Sequence, residues 1–212
     1  MADETMYGRV VKDVAHIAAP LEQSADGINF IRPPDPDITS ERVVHFSKAR
    51  GQALLQSDVL NHNERIVYQF DSKGTKNMRM RDANGTVIAS IDSGKIDYGD
   101  NKNIKANKFI DRDNSGNTGA VLTHNGQTYE WVQELLYSVL RTTPGAERVA
   151  VIHNCRGNPA VEMLPEGLKV PGLQAHIVFA TVLIESDVMK GNGVISRISC
   201  SIIPKKKRVS QG

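Results

Sequence analysis

A run of uncharged, mostly apolar residues in the C-terminal part of the chain constrains the fold most. It lies in the segment LQAHIVFATVLIESDVMKG, where none of the eight residues Ile177–Ile184 carries a charge. A helix that spans a membrane needs about 20 apolar residues, so the run is too short for that role. As a helix it would be apolar on every side, which is typical of a helix buried all round. The sequence therefore predicts a buried core helix over 174–189, whose core residues include Val178, Phe179, Val182 and Leu183.

Short alternating runs, separated by turn residues, fill the chain from Val43 onward. The predicted strands are RVVHF, RIVYQF, NMRMR, TVIASI, AVLTH, QTYEWV, RVAVIH and AVEML. Two of the turns, in DANGT and THNGQ, contain Asn-Gly, which is the strongest short-range signal for a hairpin. We also expect one short helix in WVQELLYSVL, over 131–140.

Short strands at this spacing favour an antiparallel sandwich or barrel. A closed barrel with a helix through its lumen is the small β architecture that also needs a helix apolar on every side. The predicted fold class is therefore mainly β: a closed antiparallel β-barrel around the hydrophobic C-terminal helix.

Three regions are predicted along the chain. Residues 1–42 contain a short helix over 7–19 and a Pro-rich linker over 25–41, residues 43–190 form the barrel, and residues 191–212 form a basic tail. The start of the chain is acidic and lacks the uninterrupted apolar run of a secretory signal, so we expect an intracellular protein, in the nucleus or the cytoplasm. A net charge of only +2 gives no direct evidence for nucleic acid binding.

Three segments resemble one known family: THNGQTYEWV (123–132), ERVAVIHN (147–154) and AVEMLPEGLKVPGLQAHIVFATVLIESD (160–187). They are similar to the fungal tubby-like barrel family of unknown function, in the superfamily of tubby C-terminal-like, phospholipid scramblase and LURP-one proteins. The resemblance implies a scaffold without an established activity. By wider analogy it also implies contact with anionic lipid and a connection to the nucleus. Fold alone does not settle function.

The tail carries the sharpest functional signal. Lys205, Lys206, Lys207 and Arg208 follow Pro204, which keeps them extended, and the run resembles a monopartite nuclear localisation signal read by an import receptor. The same four cations would also attract an anionic membrane, by about 1 kcal/mol each near the surface. A solvated tail with no specific role is the third interpretation.

The segment NMRMRD alternates along a predicted strand. Met78 and Met80 are expected to face inward, and Arg79 and Arg81 outward. With Lys73 and Lys76 nearby, the outward face is a candidate contact for an anion or a lipid head group, although solvated charge is the simpler interpretation.

Cysteine, histidine and acidic residues give weaker signals. His153 lies two residues before Cys155, a spacing that allows a thiol nucleophile and its base to share a strand face. His124 and His176 have no metal-ligand spacing, and His176 is expected at a partly exposed helix start. The loop DRDNSGNTG resembles a calcium loop but has Leu122 where the bidentate acid is needed. We therefore expect neither a metal site nor a cofactor.

Three functions remain open from the sequence. The first is a non-enzymatic binding or scaffold barrel with an unidentified protein partner, imported into the nucleus through the PKKKR tail. The second is a peripheral protein that binds anionic phospholipid, and the third is a thiol-dependent enzyme centred on Cys155.

Overall fold

The computed structural model describes residues 21–23, 29–31, 36–49, 51–74, 76–112, 120–133, 138–153 and 158–186. The chain divides into two units, Met1–Pro36 and Asp37–Gly212. In the first unit, β1 (Leu21–Gln23) pairs antiparallel with β2 (Asn29–Ile31). The helix predicted over 7–19 lies outside the described residues.

The second unit is mainly β, as predicted, and contains one antiparallel sheet. Its strands are β3 (Val43–Phe46), β4 (Asp58–Leu60), β5 (Ile66–Ser72), β6 (Asn77–Asp82), β7 (Val87–Asp92), β8 (Lys95–Tyr98), β9 (Asn101–Lys105), β10 (Ile110–Arg112), β11 (Ala120–His124), β12 (Gln127–Gln133), β13 (Ser138–Thr143), β14 (Arg148–His153) and β15 (Ala160–Met163). They pair in the order β10-β11-β12-β13-β14-β15-β3-β4-β5-β6-β7-β8-β9. A 3-10 helix (Gly51–Gln56) and the α-helices α1 (Ala106–Phe109), α2 (Pro165–Leu168) and α3 (Leu173–Glu185) complete the unit.

Both hairpins predicted from Asn-Gly form. Between β11 and β12, Asn125 and Gly126 have φ of 50° and 78°, the two positive values that a two-residue type I′ turn requires. Between β6 and β7, Gly85 has φ of 81° and its N–H donates to the Asp82 carbonyl at 2.9 Å. A type I turn closed by a glycine with positive φ accounts for this second geometry. Local turn chemistry thus sets the register of both strand pairs.

The buried helix is confirmed in α3. All nine residues from His176 to Ile184 are buried, and at 100° per residue they face every direction around the helix axis. The four core residues expected from the sequence have no exposed surface: Val178, Phe179, Val182 and Leu183. The residue before the helix is Gly172, whose φ is 76°; it provides no side-chain cap, and the helix has no acidic residue in its first turn and no basic residue in its last turn. Its stability therefore comes from packing.

Strands β5 and β8 both reach the first turn of α3, although two strands lie between them, so the sheet curves around this helix. Tyr68 of β5 donates a hydrogen bond to Gln174 Oε1 at 3.2 Å, and the Tyr98 hydroxyl of β8 donates to the Gly172 carbonyl at 3.3 Å. Tyr129 and Trp131, which the sequence predicted to share a face of β12, are both buried in the same core.

The predicted closure into a barrel is wrong. The sheet ends at β9 on one side and at β10 on the other, and these strands are joined by α1 rather than by a ladder of hydrogen bonds. The end of the sheet at β9 is irregular. Its residues 102 and 103 oppose Asp97 alone, and Asn103 has φ of 56°. A bulge and exposed lysines are common protection for a strand that pairs on one side only.

The helix predicted over 131–140 is also wrong, because its two ends are strands. Trp131 of β12 pairs with Leu140 of β13, and Val132 pairs with Val139. Apolar residues at this spacing fit a helical face, but here they meet as cross-strand pairs of two antiparallel strands.

Truncation of a buried α3 residue should be costly. We expect Leu183→Ala to lower the free energy of unfolding by about 2–5 kcal/mol, since it leaves a cavity in the core. Leu168→Ala is the matched control, because Leu168 is 53% exposed, and should change it by less than about 0.5 kcal/mol. Urea denaturation followed by tryptophan fluorescence measures both values. Equal costs for the two variants would contradict the all-round burial of α3.

Candidate anion-binding surface

A row of polar residues crosses the outer face of strands β5 to β8. Asp71 pairs with Arg79, Arg79 with Ser90, and Ser90 with Asp97. Since neighbouring strands lie about 4.8 Å apart, the row forms one continuous surface. These residues help to line a cleft of about 460 Å³, together with Lys73 and Asp92.

The alternation predicted for β6 is confirmed. Met78 and Met80 are buried in the core, and Arg79 is exposed on the opposite face. Arg81 is only half-buried on that outer face, with 31% of its side chain exposed. The methionines of β6 face the core, so Arg79, which alternates with them, lies on the outer face. Its neighbours there on β5 and β7 line the cleft with it.

A second row collects lysines at one end of the same strands. Asn77 pairs with Asp92, Asp92 with Lys95, and Lys95 with Lys105 of β9. The Lys73 N–H donates to the Asn77 carbonyl at 2.9 Å, which places Lys73 at this end as well. We call the four exposed lysines here the basic rim: Lys73, Lys76, Lys95 and Lys105.

The carboxylates of the cleft already have partners within the chain. Asp71 accepts a hydrogen bond from Arg81 Nε at 3.0 Å, and Arg81 Nη1 also donates to the Gly85 carbonyl at 3.0 Å. Asp97 accepts from the Asn103 N–H at 2.7 Å, and Asp92 accepts from the Ser93 hydroxyl at 2.9 Å. These contacts hold the acids in place and neutralise Asp71.

The cations of the surface differ from its carboxylates in their contacts. Within the part of the chain that the structure describes, the side chains of Arg79 and of the basic rim make no hydrogen bond or ion pair. Lys95 and Lys105 even lie directly opposite each other, an arrangement of like charges that destabilises a strand pair. The surface thus presents five cations that can take an external anion. Arg81, which the sequence grouped with Arg79, is occupied by Asp71.

The other sequence-predicted site residues do not join this surface. Lys205, Lys206, Lys207, Arg208 and Cys155 lie outside the described residues, so import by the tail and thiol chemistry stay predictions. His153, the base proposed for Cys155, is bonded through Nε2 to Glu162 at 3.1 Å. This hydrogen bond is the main cause that lowers the pKa of Glu162.

Sequence reasoning missed a contact between two histidines. His124 at the end of β11 and His176 in α3 are 52 residues apart, yet their Nδ1 atoms lie 2.9 Å from each other. His176 is 4% exposed, so the expectation of a partly exposed helix start is wrong. No local spacing could have indicated this pair, because it arises only when the sheet curves around α3.

The described residues show neither a metal centre nor a membrane-spanning helix. Among those residues, no group of three or more His, Cys, Asp or Glu side chains is placed to hold a metal ion. No helix in the same ranges combines the length and apolarity needed to span a membrane.

The fold defines a mainly β domain in which one antiparallel sheet curves around a buried helix. The chain belongs to a family of unknown function (DUF6593), which matches residues 53–189. No curated protein matches the chain. An X-ray structure of a protein from Arabidopsis thaliana is similar with a TM-score of 0.34 and 8% identity, over 69% of this chain and 96% of that one.

An exposed cation without a partner should not matter for folding. We expect Arg79→Ala to change the free energy of unfolding by less than about 0.5 kcal/mol, as is usual for surface substitutions. Met80→Ala, one residue away on the buried face, should cost about 2–5 kcal/mol. Urea denaturation of both variants checks this. A cost for Arg79→Ala close to that for Met80→Ala would show that Arg79 is needed for the fold rather than free to bind.

Proposed function

We propose that this protein is a non-enzymatic binding protein that holds anionic, phosphate-type groups at Arg79 and the basic rim. The observation that carries the proposal is the set of five exposed cations that have no partner among the described residues, beside a cleft whose acids are already occupied. Arg79 and Lys73 line the cleft itself, and with Asp71 neutralised by Arg81 the other acids in its lining are Asp92 and Asp97, against five cations in all at Arg79 and the basic rim. The local charge is therefore positive although the whole chain carries only +2.

The chemistry of the side chains suits phosphate. The planar guanidinium of Arg79 can donate two parallel hydrogen bonds to a phosphate group. The lysines act as mobile point charges around it, and each contributes about 1 kcal/mol of attraction near an anionic surface. The remaining carboxylates reduce the affinity for a dense polyanion and favour a single head group over a long charged polymer.

We favour a phospholipid head group as the source of the phosphate. The sequence segments that resemble tubby-like and scramblase proteins support this choice by analogy, and a soluble phosphate compound is the alternative. An electrostatic contact of this kind weakens as the salt concentration rises, because exposed charges are screened.

Vesicle co-sedimentation of the full chain tests the proposal. We expect pelleting with phosphatidylcholine vesicles that contain phosphatidylserine, none with phosphatidylcholine alone, and a smaller pelleted fraction at 0.5 M than at 0.1 M salt. Arg79→Ala should weaken binding about fivefold, which corresponds to about 1 kcal/mol. Equal binding by Arg79→Ala and the wild type would contradict the proposed site.

Two further variants show which part of the chain is responsible for any binding. Arg65→Ala removes another exposed arginine just before β5, at the end of that strand away from Asp71 and Lys73, and should bind like the wild type. The double change Lys206→Ala and Lys207→Ala reports the contribution of the tail. Binding of inorganic phosphate by the full chain without any pelleting would indicate a soluble ligand.

Nuclear import through the tail is the second candidate function. It rests on the four consecutive cations that follow Pro204, and it is compatible with a scaffold role for the domain. We expect the change of Lys206 and Lys207 to alanine to abolish nuclear accumulation of a fluorescently tagged chain. The control changes Lys102 and Lys108, two exposed lysines at the β9 end of the sheet, and should leave the distribution unaltered. An unaltered distribution of the tail variant would exclude import by this signal.

A further inference from the structure

The two buried histidines form a chain of hydrogen bonds at the start of α3. His124 Nε2 lies 2.8 Å from the Pro171 carbonyl oxygen, and His124 Nδ1 lies 2.9 Å from His176 Nδ1. His176 Nε2 is buried and has no hydrogen-bond partner. Both side chains are at least nine-tenths buried, with exposures of 8% for His124 and 4% for His176.

Only one arrangement of protons fits two neutral rings. A carbonyl oxygen can only accept, so His124 Nε2 must donate to Pro171. The neutral His124 ring then has an unprotonated Nδ1, which accepts the N–H of His176 Nδ1. His176 Nε2 is consequently left without a proton. This suits its position, since a buried nitrogen that carries no N–H has no donor to satisfy.

One additional proton cannot be accommodated in this geometry. A single hydrogen lies between the two Nδ1 atoms, and His124 Nε2 already carries one. Wherever the new proton first binds, the result is an N–H at His176 Nε2. That group would be a buried donor without an acceptor in a pair that is now positively charged, and both features are costly away from water.

The surroundings of the pair contain no group that would stabilise such a charge by an ion pair. The Tyr98 ring of β8 stacks on His176 at a centroid distance of 4.3 Å, and the Phe109 ring of α1 lies 4.7 Å away. Phe179 packs against both of these rings from within α3. Tyr98 is the one titratable group among them, and burial raises the pKa of its phenol, so it stays neutral. None of the described carboxylates, lysines or arginines is hydrogen-bonded to either imidazole.

We propose that His124, His176 and the Pro171 carbonyl form a proton-sensitive latch, which holds the first turn of α3 against the β11–β12 hairpin at neutral pH and releases it when the pair takes up one proton. Release would break the link between His124 and Pro171 and would let His176 reach water. The proposal does not depend on the anion-binding surface.

The direction of the pH effect follows from the closed and open states. Burial, and to a lesser extent the neighbouring His124, lowers the pKa of His176 to about 3 in the closed latch. In the open latch the imidazole is solvated and has a pKa of about 6.5. The open state therefore binds more protons between these values, and the opening equilibrium rises about tenfold for each pH unit below 6.5. Above pH 6.5 opening is independent of pH.

Hydrogen exchange of the full chain, resolved to single amides by NMR, tests the latch. Two amides report on it directly: Leu173, which donates to the Val170 carbonyl, and His176, which donates to the Gly172 carbonyl. Corrected for intrinsic exchange rates, their protection should fall about tenfold between pH 7.5 and 5.5, while amides of β5 and β6 stay constant. Protection at Leu173 and His176 that does not change with pH would overturn the proposal.

Substitution of a histidine by asparagine tests whether that histidine causes the pH dependence of protection. In His176→Asn the amide can still donate to His124 Nδ1 but cannot titrate, so the protection of Leu173 should no longer depend on pH. His153→Asn is the matched control, because His153 bonds Glu162 instead, and it should retain the tenfold change. A pH dependence that persists in His176→Asn would contradict the latch.

The tautomers provide a test without any variant. Imidazole ¹⁵N spectra of the wild type at pH 7.5 should show a proton on His124 Nε2 and on His176 Nδ1. A proton found on His176 Nε2 instead would overturn the assignment on which the latch depends.

Discussion

The burial of α3 on every side is the constraint on which the rest of the unit depends. The helix has no side-chain cap at its N-terminus, no acidic residue in its first turn and no basic residue in its last turn, so its stability comes from packing inside the sheet. Each fully buried residue such as Val178 or Leu183 contributes about 1.5–3 kcal/mol. The one hydroxyl in its buried centre, Thr181, donates to the Ile177 carbonyl at 2.9 Å and leaves nothing unsatisfied. A segment of this composition requires a sheet that surrounds it.

This architecture separates two kinds of chemistry by the two faces of the same strands. The inner face carries aromatic and histidine side chains that fix the start of α3, and the outer face carries the cleft and the basic rim, the proposed anion-binding surface. In β8 the two meet at adjacent positions: Tyr98 stacks on His176, and Asp97 lines the cleft. A movement of the first turn of α3 that displaces Tyr98 would therefore also displace Asp97, the next residue of β8, at the cleft.

The sequence predicted what is encoded locally. Turn residues and alternation located eight strands, and the alternation of β6 placed Arg79 outside. Three strands of only three or four residues, β4, β8 and β10, are too short to show alternation. The sequence grouped Lys73 and Lys76 with Arg79, but the other two lysines of the basic rim and the histidine pair could not be predicted, since Lys95 meets Lys105 and His124 meets His176 only through the register and curvature of the sheet. The open end was missed because the apolar helix suggested closure, whereas α1 and a bulged β9 end the sheet instead.

Native-state hydrogen exchange of α3 at pH 7.5 tests the central claim most directly. If the sheet surrounds the helix, the amides from Ile177 to Leu183 can exchange only when the whole unit unfolds. Their exchange free energies should then equal the free energy of global unfolding obtained from urea denaturation. Exchange free energies lower than the global value by more than about 2 kcal/mol would show that α3 opens by itself, and would contradict a fold built around it.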